Sequence, residues 1–320
     1  GRPALPPAPL GGALGMARRA LVRGAAAGGG LPQWNCNGAN SAGFWGRGVA
    51  LAQATQSSLA VTVDGESWAL MNASPDLRAQ IIANPQLHPR DPARHGLRDT
   101  PIASVLITNG DIDHIAGLLT LREKQAFDLF TTPAIADVLR ANPIFDALDP
   151  ALVARRQVGL DAPFDLLPGL TAELFAVPGK VPLFLEGETV QTDLMGEQTV
   201  GVRLSSGEGT IFYIPGCARM TPELADRLRG AACVLFDGTV FHDDEMIRAG
   251  VGRKTGRRMG HIAMAGPEGS LAAFRDLGVA RKIFVHMNNT NPVWRPDSPE
   301  RGEVEAAGWE VAFDGMEVTP

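Results

Sequence analysis

The sequence predicts an α/β fold in which two sheets lie between helices, a four-layer αββα sandwich, and three observations carry that expectation. Apolar strands are followed by helices twice along the chain, the pattern of sheets covered by helices. Glycine (37) and proline (24) are frequent, as short strands joined by tight turns require. The 320 residues are 45% hydrophobic and 20% charged, enough to bury a large core and free of any bias toward disorder.

The elements follow in order. Residues 1–15 are small, apolar and proline-rich and read as an extension outside the fold, with Met16 as a natural start and 16–320 as a single domain. The pair Arg18-Arg19 is followed by an apolar stretch too short for a signal peptide. A first strand over Arg19–Val22 leads to Gly28-Gly29-Gly30, a run that lets a ligand or another backbone come close. Ser58 to Met71 reads as a hairpin turning at Asp64-Gly65. Asn72-Ala-Ser-Pro-Asp76 opens a helix over Leu77–Ile82, and a polar loop covers His88 to Thr100. The strand Ala103–Thr108 precedes a helix over Ile115–Glu123. In the second half, strands are expected near 172–177, 181–186, 199–205 and 210–214, then a helix Pro222–Leu228 and a strand from Cys233 to Phe236. A helix around Ser270–Leu277 leads to the strand Lys282–His286.

Charge and composition narrow the partners. A net charge of −6 disfavours nucleic acid and anionic membranes, both of which select basic faces. No run reaches the roughly 18 apolar residues of a membrane helix. Cys36, Cys217 and Cys233 are odd in number and far apart, so neither a disulfide framework nor zinc-finger spacing is present, and a reducing cytoplasm is the natural compartment. The sequence is compatible with a homodimer.

Chemistry gathers at strand ends. Thr108-Asn-Gly-Asp-Ile-Asp-His114 closes a buried-looking strand and sets Asp111, Asp113 and His114 within four residues, ligand types that suit one metal ion. Asp113 is also a residue type that caps the following helix. His286 ends a second apolar strand before Met-Asn-Asn-Thr-Asn-Pro, where a hydrogen-bonded histidine is the plainer alternative. Gly260-His261 lies in a glycine-bounded turn, and Asp237 ends the strand before Gly238-Thr239, where it can also simply hold a turn.

Several separate motifs, in order from about Ala17 to Val318, then carry a resemblance. They include Gly28-Gly-Gly-Leu-Pro-Gln-Trp-Asn-Cys-Asn37, Asn72-Ala-Ser-Pro-Asp76, Asp111-Ile-Asp-His-Ile-Ala-Gly-Leu-Leu-Thr-Leu-Arg122, Tyr213-Ile-Pro-Gly-Cys217, Leu235-Phe-Asp-Gly-Thr239, Thr255-Gly-Arg-Arg-Met-Gly-His261 and Phe284-Val-His-Met-Asn-Asn-Thr-Asn-Pro292. Through them the chain resembles the PqqB family, the branch of the metallo-β-lactamase superfamily that serves pyrroloquinoline quinone biosynthesis. Asn109-x-Asp111-x-Asp113-His114 stands where the superfamily carries His-x-His-x-Asp-His.

The resemblance implies a metallo-β-lactamase-type sandwich with a metal at Asp113, His114 and His286, and with Asp111 close by as a fourth ligand or neighbouring acid. The superfamily's other metal pocket looks degraded: its histidines are Asn109 and Asp111, none stands near Val177-Pro-Gly-Lys180, and glycine replaces the bridging aspartate within Tyr213–Gly216. One metal is therefore expected. Two histidines and a carboxylate with open positions suit Fe(II), and zinc also accepts them. The family implies a hydroxylase using Fe(II) and O2 on the tyrosine of a glutamate–tyrosine dipeptide, with His261 moving a proton and Asp111 assisting. Arg257, Arg258 and Asp237 would bind substrate, the arginines through its carboxylates, although residues 253–258 also read as a solvated basic face. The alternatives are a hydrolase of the same fold and a non-catalytic carrier of the quinone. The family's Cys-x-Cys-x-x-Cys cluster is broken here by Gly38 and Ser41, so no structural zinc is expected at Cys36.

Overall fold

The structure, a computed structural model, describes residues 19–207 and 209–319; the expected extension over residues 1–15 lies outside the described residues. Strands β1 (Arg19–Gly24), β2 (Ser58–Thr62), β3 (Trp68–Met71), β4 (Ile102–Leu106), β5 (Phe127–Thr131) and β6 (Val153–Gln157) pair in chain order. They form one seven-stranded sheet, closed at its edge by β14 (Glu317–Val318) beside β1. Strands β7 (Phe164–Leu167), β8 (Leu170–Ala176), β9 (Val200–Ser206), β10 (Gly209–Ile214), β11 (Cys233–Asp237), β12 (Arg281–Val285) and β13 (Trp309–Val311) form the second sheet, also in chain order.

Period-two alternation explains how the first sheet is covered on both faces. Ala20, Val22, Leu59, Val61, Ala69 and Met71 point into one core with Leu174, Val202, Ile211 and Tyr213 of the second sheet. Their neighbours Leu21, Ala60, Leu70 and Val105 point the other way, onto Leu77, Ile115, Leu118, Ile135 and Leu139 of the covering helices. On the far side of the second sheet lie the helices Pro222–Leu228 and Pro299–Ala306, which bury Leu224, Leu228 and Val304. Each fully buried Leu or Val side chain stabilises this arrangement by about 1.5–3 kcal/mol. The expected four-layer sandwich is what these contacts build.

Some elements differ from expectation. Segment 181–186 is not a strand: it is a loop with a single 3-10 turn, Leu183–Leu185, and these three side chains are exposed. Apolar residues there suggested a strand, but Pro182 interrupts the run, and Leu183 N instead donates to the Asp111 side chain. The helix expected over Ile115–Glu123 starts earlier, as one α turn, Ile112–Ile115, continued by the 3-10 stretch Ala116–Arg122. The helix expected to reach Leu277 ends at Ala273. Sequence reading passed over β5, β6, β7, β13 and β14 and the helices Pro133–Ala141 and Pro299–Ala306. β6 shows why: Val-Ala-Arg-Arg-Gln is an edge strand with one buried residue and no alternation to detect.

Topology fixes where chemistry can occur. β3–β6 run parallel to one another, as do β10–β13. The loops leaving β4, β11 and β12 at their carboxyl ends meet at one end of the sandwich.

Candidate metal centre

The turn after β4 is built by short-range hydrogen bonds. Asn109 Oδ1 accepts from Asp111 N (2.9 Å), and Asp111 occupies the N-cap position of the turn Ile112–Ile115. Asp113 sits inside that turn, so its side chain does not cap the helix and leaves for the other sheet. There His286 Nε2 lies 3.0 Å from Asp113 Oδ2. His286 follows β12 directly and takes a left-handed φ of 60°, which costs a non-glycine residue of order 1–3 kcal/mol. The parallel register Asp237↔Val285 sets His286 next to the turn after β11.

Asp113, His114 and His286 offer ligand atoms that all lie within 4.8 Å of one another. Gly28 of the triple-glycine run passes beside them, where a Cβ would stand 3.5 Å from Asp113 Oδ2. Gly29 and Gly30 take φ of 92° and 69°. Both histidines are nearly fully buried.

Hydrogen-bond partners assign the histidine tautomers. His114 Nδ1 lies 2.7 Å from Asn109 Oδ1, an oxygen already identified as an acceptor by Asp111 N. His114 Nδ1 therefore carries the proton, and His114 Nε2 is buried with no hydrogen-bond partner. An orphaned buried lone pair costs free energy unless something binds it, and a divalent ion between a carboxylate and a second imidazole is what this donor set fits. On His286, Nδ1 meets Thr239 Oγ1 at 2.8 Å, which turns Nε2 toward Asp113 Oδ2, the place an ion between them would occupy. Holding the distal nitrogen by a fixed acceptor is how proteins aim metal-binding histidines.

Electrostatics favour an ionised Asp113 and a neutral His114. Burial would raise the Asp113 carboxyl, but His114 and the hydrogen bond from His286 outweigh it and hold it well below the usual carboxylate range. Burial lowers His114 and keeps it neutral, as a ligand must be. Burial also opposes charge on His286, but its hydrogen bond to Asp113 raises it.

His261 belongs to this place too. Thr255 caps the single turn Gly256–Met259 through its hydroxyl, and Gly260 ends it at φ 83°, presenting His261. The His261 ring stacks on His286 with centroids 5.2 Å apart, and the His114 ring stacks on His286 at 5.3 Å. A Cβ on Gly216, in the segment where the superfamily's bridging aspartate is absent, would meet His261 Cε1 at 3.6 Å. Gly216 thus lies in van der Waals range of the His261 ring.

The remaining expected residues divide. Asp237, expected against substrate, is fully buried, and its contacts are internal. Its carboxylate accepts from Cys217 N, Thr239 N, Thr239 Oγ1 and, at 2.7 Å, His261 Nδ1, so it stands behind His261 with no surface for a ligand. Asp237, His261 and His286 also lie within 4.8 Å of one another, but that group is knitted together through Thr239 Oγ1, with the carboxylate and both Nδ1 atoms already hydrogen-bonded. Asp111 stands outside the ligand group and accepts from Leu183 N at 3.0 Å. Arg257, with His261, lines an open cleft of about 1180 Å³, and pairs there with exposed Glu268. Arg258 turns away to Glu186.

Thr239 was missed as a site residue, although its place two residues after a strand-ending aspartate is a local signal. Asn109 was noted as a lost ligand, and its service to His114 is visible only in three dimensions. Around Cys36, Gly38 N points at the thiol sulfur (3.2 Å) and no second thiol is near, since Cys217 and Cys233 are buried elsewhere. The loop is held instead by Asn40, whose amide donates to Asn289 O and Asn291 O and accepts from Arg295 Nε.

Comparison with known proteins places this geometry. Residues 67–287 match the β-lactamase superfamily domain. The chain is 58% identical to coenzyme PQQ synthesis protein B of Ruegeria pomeroyi over 298 residues, covering 93% of this chain and 98% of that one. It is 56% identical to the protein of that name from Rhizobium meliloti, covering 94% and 97%. Among solved structures, the Zn²⁺-bound PqqB of Methylobacterium extorquens superposes with a TM-score of 0.91 at 51% identity, covering 94% of this chain and all of that one. A diphosphatase of the PhnP family, 19% identical with a TM-score of 0.66, shares the fold. No helix among the described residues is long and apolar enough to cross a membrane.

Proposed function

The chain belongs to the coenzyme PQQ synthesis protein B family of the β-lactamase superfamily, and on that premise we propose that it is a metal-dependent hydroxylase of PQQ synthesis. In this reading it uses Fe(II) and O2 and acts on the tyrosine of a glutamate–tyrosine dipeptide or a related peptide-derived substrate. The observation that carries it is the convergence of one carboxylate and two imidazole nitrogens, with His114 Nε2 buried and otherwise unbonded. Asp113, His114 and His286 would hold the ion. Iron held by these two histidines and one carboxylate would supply activation of oxygen.

The chain's own residues do the rest. Asn109 and Thr239 keep His114 Nε2 and His286 Nε2 aimed at one point. Asp237 fixes His261 Nδ1 as the protonated nitrogen, which leaves His261 Nε2 to accept or return a proton of the substrate phenol at the cleft. Arg257 lies on the cleft wall. Its pair with Glu268 is exposed on both sides and therefore weak, so the guanidinium is available to a substrate carboxylate. Asp111 acts through the loop it holds, at Leu183.

The test is anaerobic loading with Fe(II), followed by oxygen, a reductant and glutamyl-tyrosine, read by mass spectrometry. A gain of oxygen on the tyrosine is expected. Cleavage without that gain would favour a hydrolase, and binding without turnover a carrier.

A further inference from the structure

Segment 181–186 crosses beside the metal group and is held at two points. One is the bond from Leu183 N to Asp111; the other is Glu186, whose side chain is buried between two cations. Lys180 Nζ lies 3.0 Å from Glu186 Oε1, and Arg258 Nη2 donates to Oε2 at 3.1 Å. The Lys180 and Glu186 side chains are only 11% and 7% exposed.

Neither charge nor hydrogen bonding closes within this cluster. Two cations face one carboxylate, leaving one positive charge in excess. Lys180 Nζ is shared between Glu186 Oε1 and Val181 O, the latter at 3.2 Å, and Arg258 Nη1 is buried and donates none. A guanidinium matches a carboxylate by two parallel bonds, and only one of the two is made here. The cluster also abuts the turn that carries His261, since Lys180 Cγ would stand 3.3 Å from a Cβ on Gly260. Burial would raise the Glu186 carboxyl, but Lys180 and Arg258 outweigh it, so the resident group stays ionised.

We propose that Lys180 and Arg258 form a carboxylate-binding subsite beside His261, filled in the free protein by Glu186 and taken over by a carboxylate of the ligand. A ligand carboxylate seated on both Nη1 and Nη2 of Arg258 completes the fork that Glu186 leaves half made. Its arrival releases segment 181–186 at the Glu186 end, while Asp111 keeps hold at Leu183. The subsite deepens the functional reading above by naming a second recognition point for an acidic, peptide-derived substrate.

Calorimetric titration of the metal-free protein with glutamyl-tyrosine, and with glutarate as a probe lacking the ring, tests this. Glu186→Gln removes the competing charge at nearly constant shape and should tighten both ligands by roughly tenfold, the worth of one charge-assisted hydrogen bond. Arg258→Lys keeps the charge, loses the fork, and should weaken both by about fivefold or more. Unchanged or weaker binding by Glu186→Gln, with thermal unfolding showing a folded variant, overturns the subsite. If Glu186→Gln does not fold, Arg258→Lys decides: affinity equal to wild type overturns the proposal. These titrations need neither iron nor oxygen. Failure of hydroxylation with both shifts present removes the oxygenase reading alone, and hydroxylation without the shifts removes the subsite alone.

Discussion

His286 Nε2 and Asp113 Oδ2 lie 3.0 Å apart although 173 residues separate them, because the strand ends of two different sheets meet there. That contact brings together the atoms that would ligate an ion. The purified protein should bind close to one divalent ion per chain, and His114→Ala or His286→Ala should weaken binding by roughly 10²-fold or more in competition with a chromophoric chelator. Two tightly held equivalents, or wild-type affinity in either variant, would contradict the assignment.

Asn109 and Thr239 touch the ligand histidines on their outer nitrogens. Asn109→Ala and Thr239→Val should each lower metal affinity by about 10- to 100-fold without unfolding the chain. Circular dichroism separates this from collapse, and affinity unchanged in both would mean that the histidines are held by packing alone.

His261→Ala should retain the metal. If His261 handles the substrate proton, turnover should fall by roughly 10²-fold while metal stoichiometry stays at wild type. Loss of metal along with turnover would make His261 a ligand.

The Cys36 loop should carry no zinc. Elemental analysis after chelation and reloading with iron should find none retained, since Cys36 is the sole thiol there. Asn40 anchors the loop through its side-chain hydrogen bonds. Asn40→Ala, which breaks three hydrogen bonds, should cost about 2 kcal/mol in urea unfolding.

One buried and one half-buried acid set a pH dependence. Burial pushes Glu245 up to about 7 from an ordinary 4.5 and Asp314 up to about 6 from 3.8. The folded chain therefore keeps protons that the unfolded chain has lost in this window. Stability is full below the ordinary values and is lost as pH rises through about 6 and 7. Urea unfolding of the metal-free protein between pH 5 and 8 should show Glu245→Gln abolishing a fall on the order of 2 kcal/mol. A variant whose slope matches wild type would remove Glu245 as the cause.

Much of this protein is local, and the sequence by itself determined that much. Apolar runs in β1, β2 and β4 and a polar cluster closing a buried strand are properties of neighbouring residues, so the sandwich and the strand end bearing Asp111, Asp113 and His114 were legible along the chain, whereas His286 as their partner was implied only by the family resemblance. Elements without alternation were not, such as β6, and neither was segment 181–186, where apolar composition resembled a strand that Pro182 and the bond to Asp111 prevent. Tertiary structure alone decided the partners. Thr239 serves His261 and His286 from 22 and 47 residues away, and Glu186 meets Arg258 across 72. Asp237 acquires four internal donors and turns from a surface group into the support of His261. A side chain's residue type limits what it can bind, but which of its lone pairs are already taken depends on atoms that only folding brings within 3 Å.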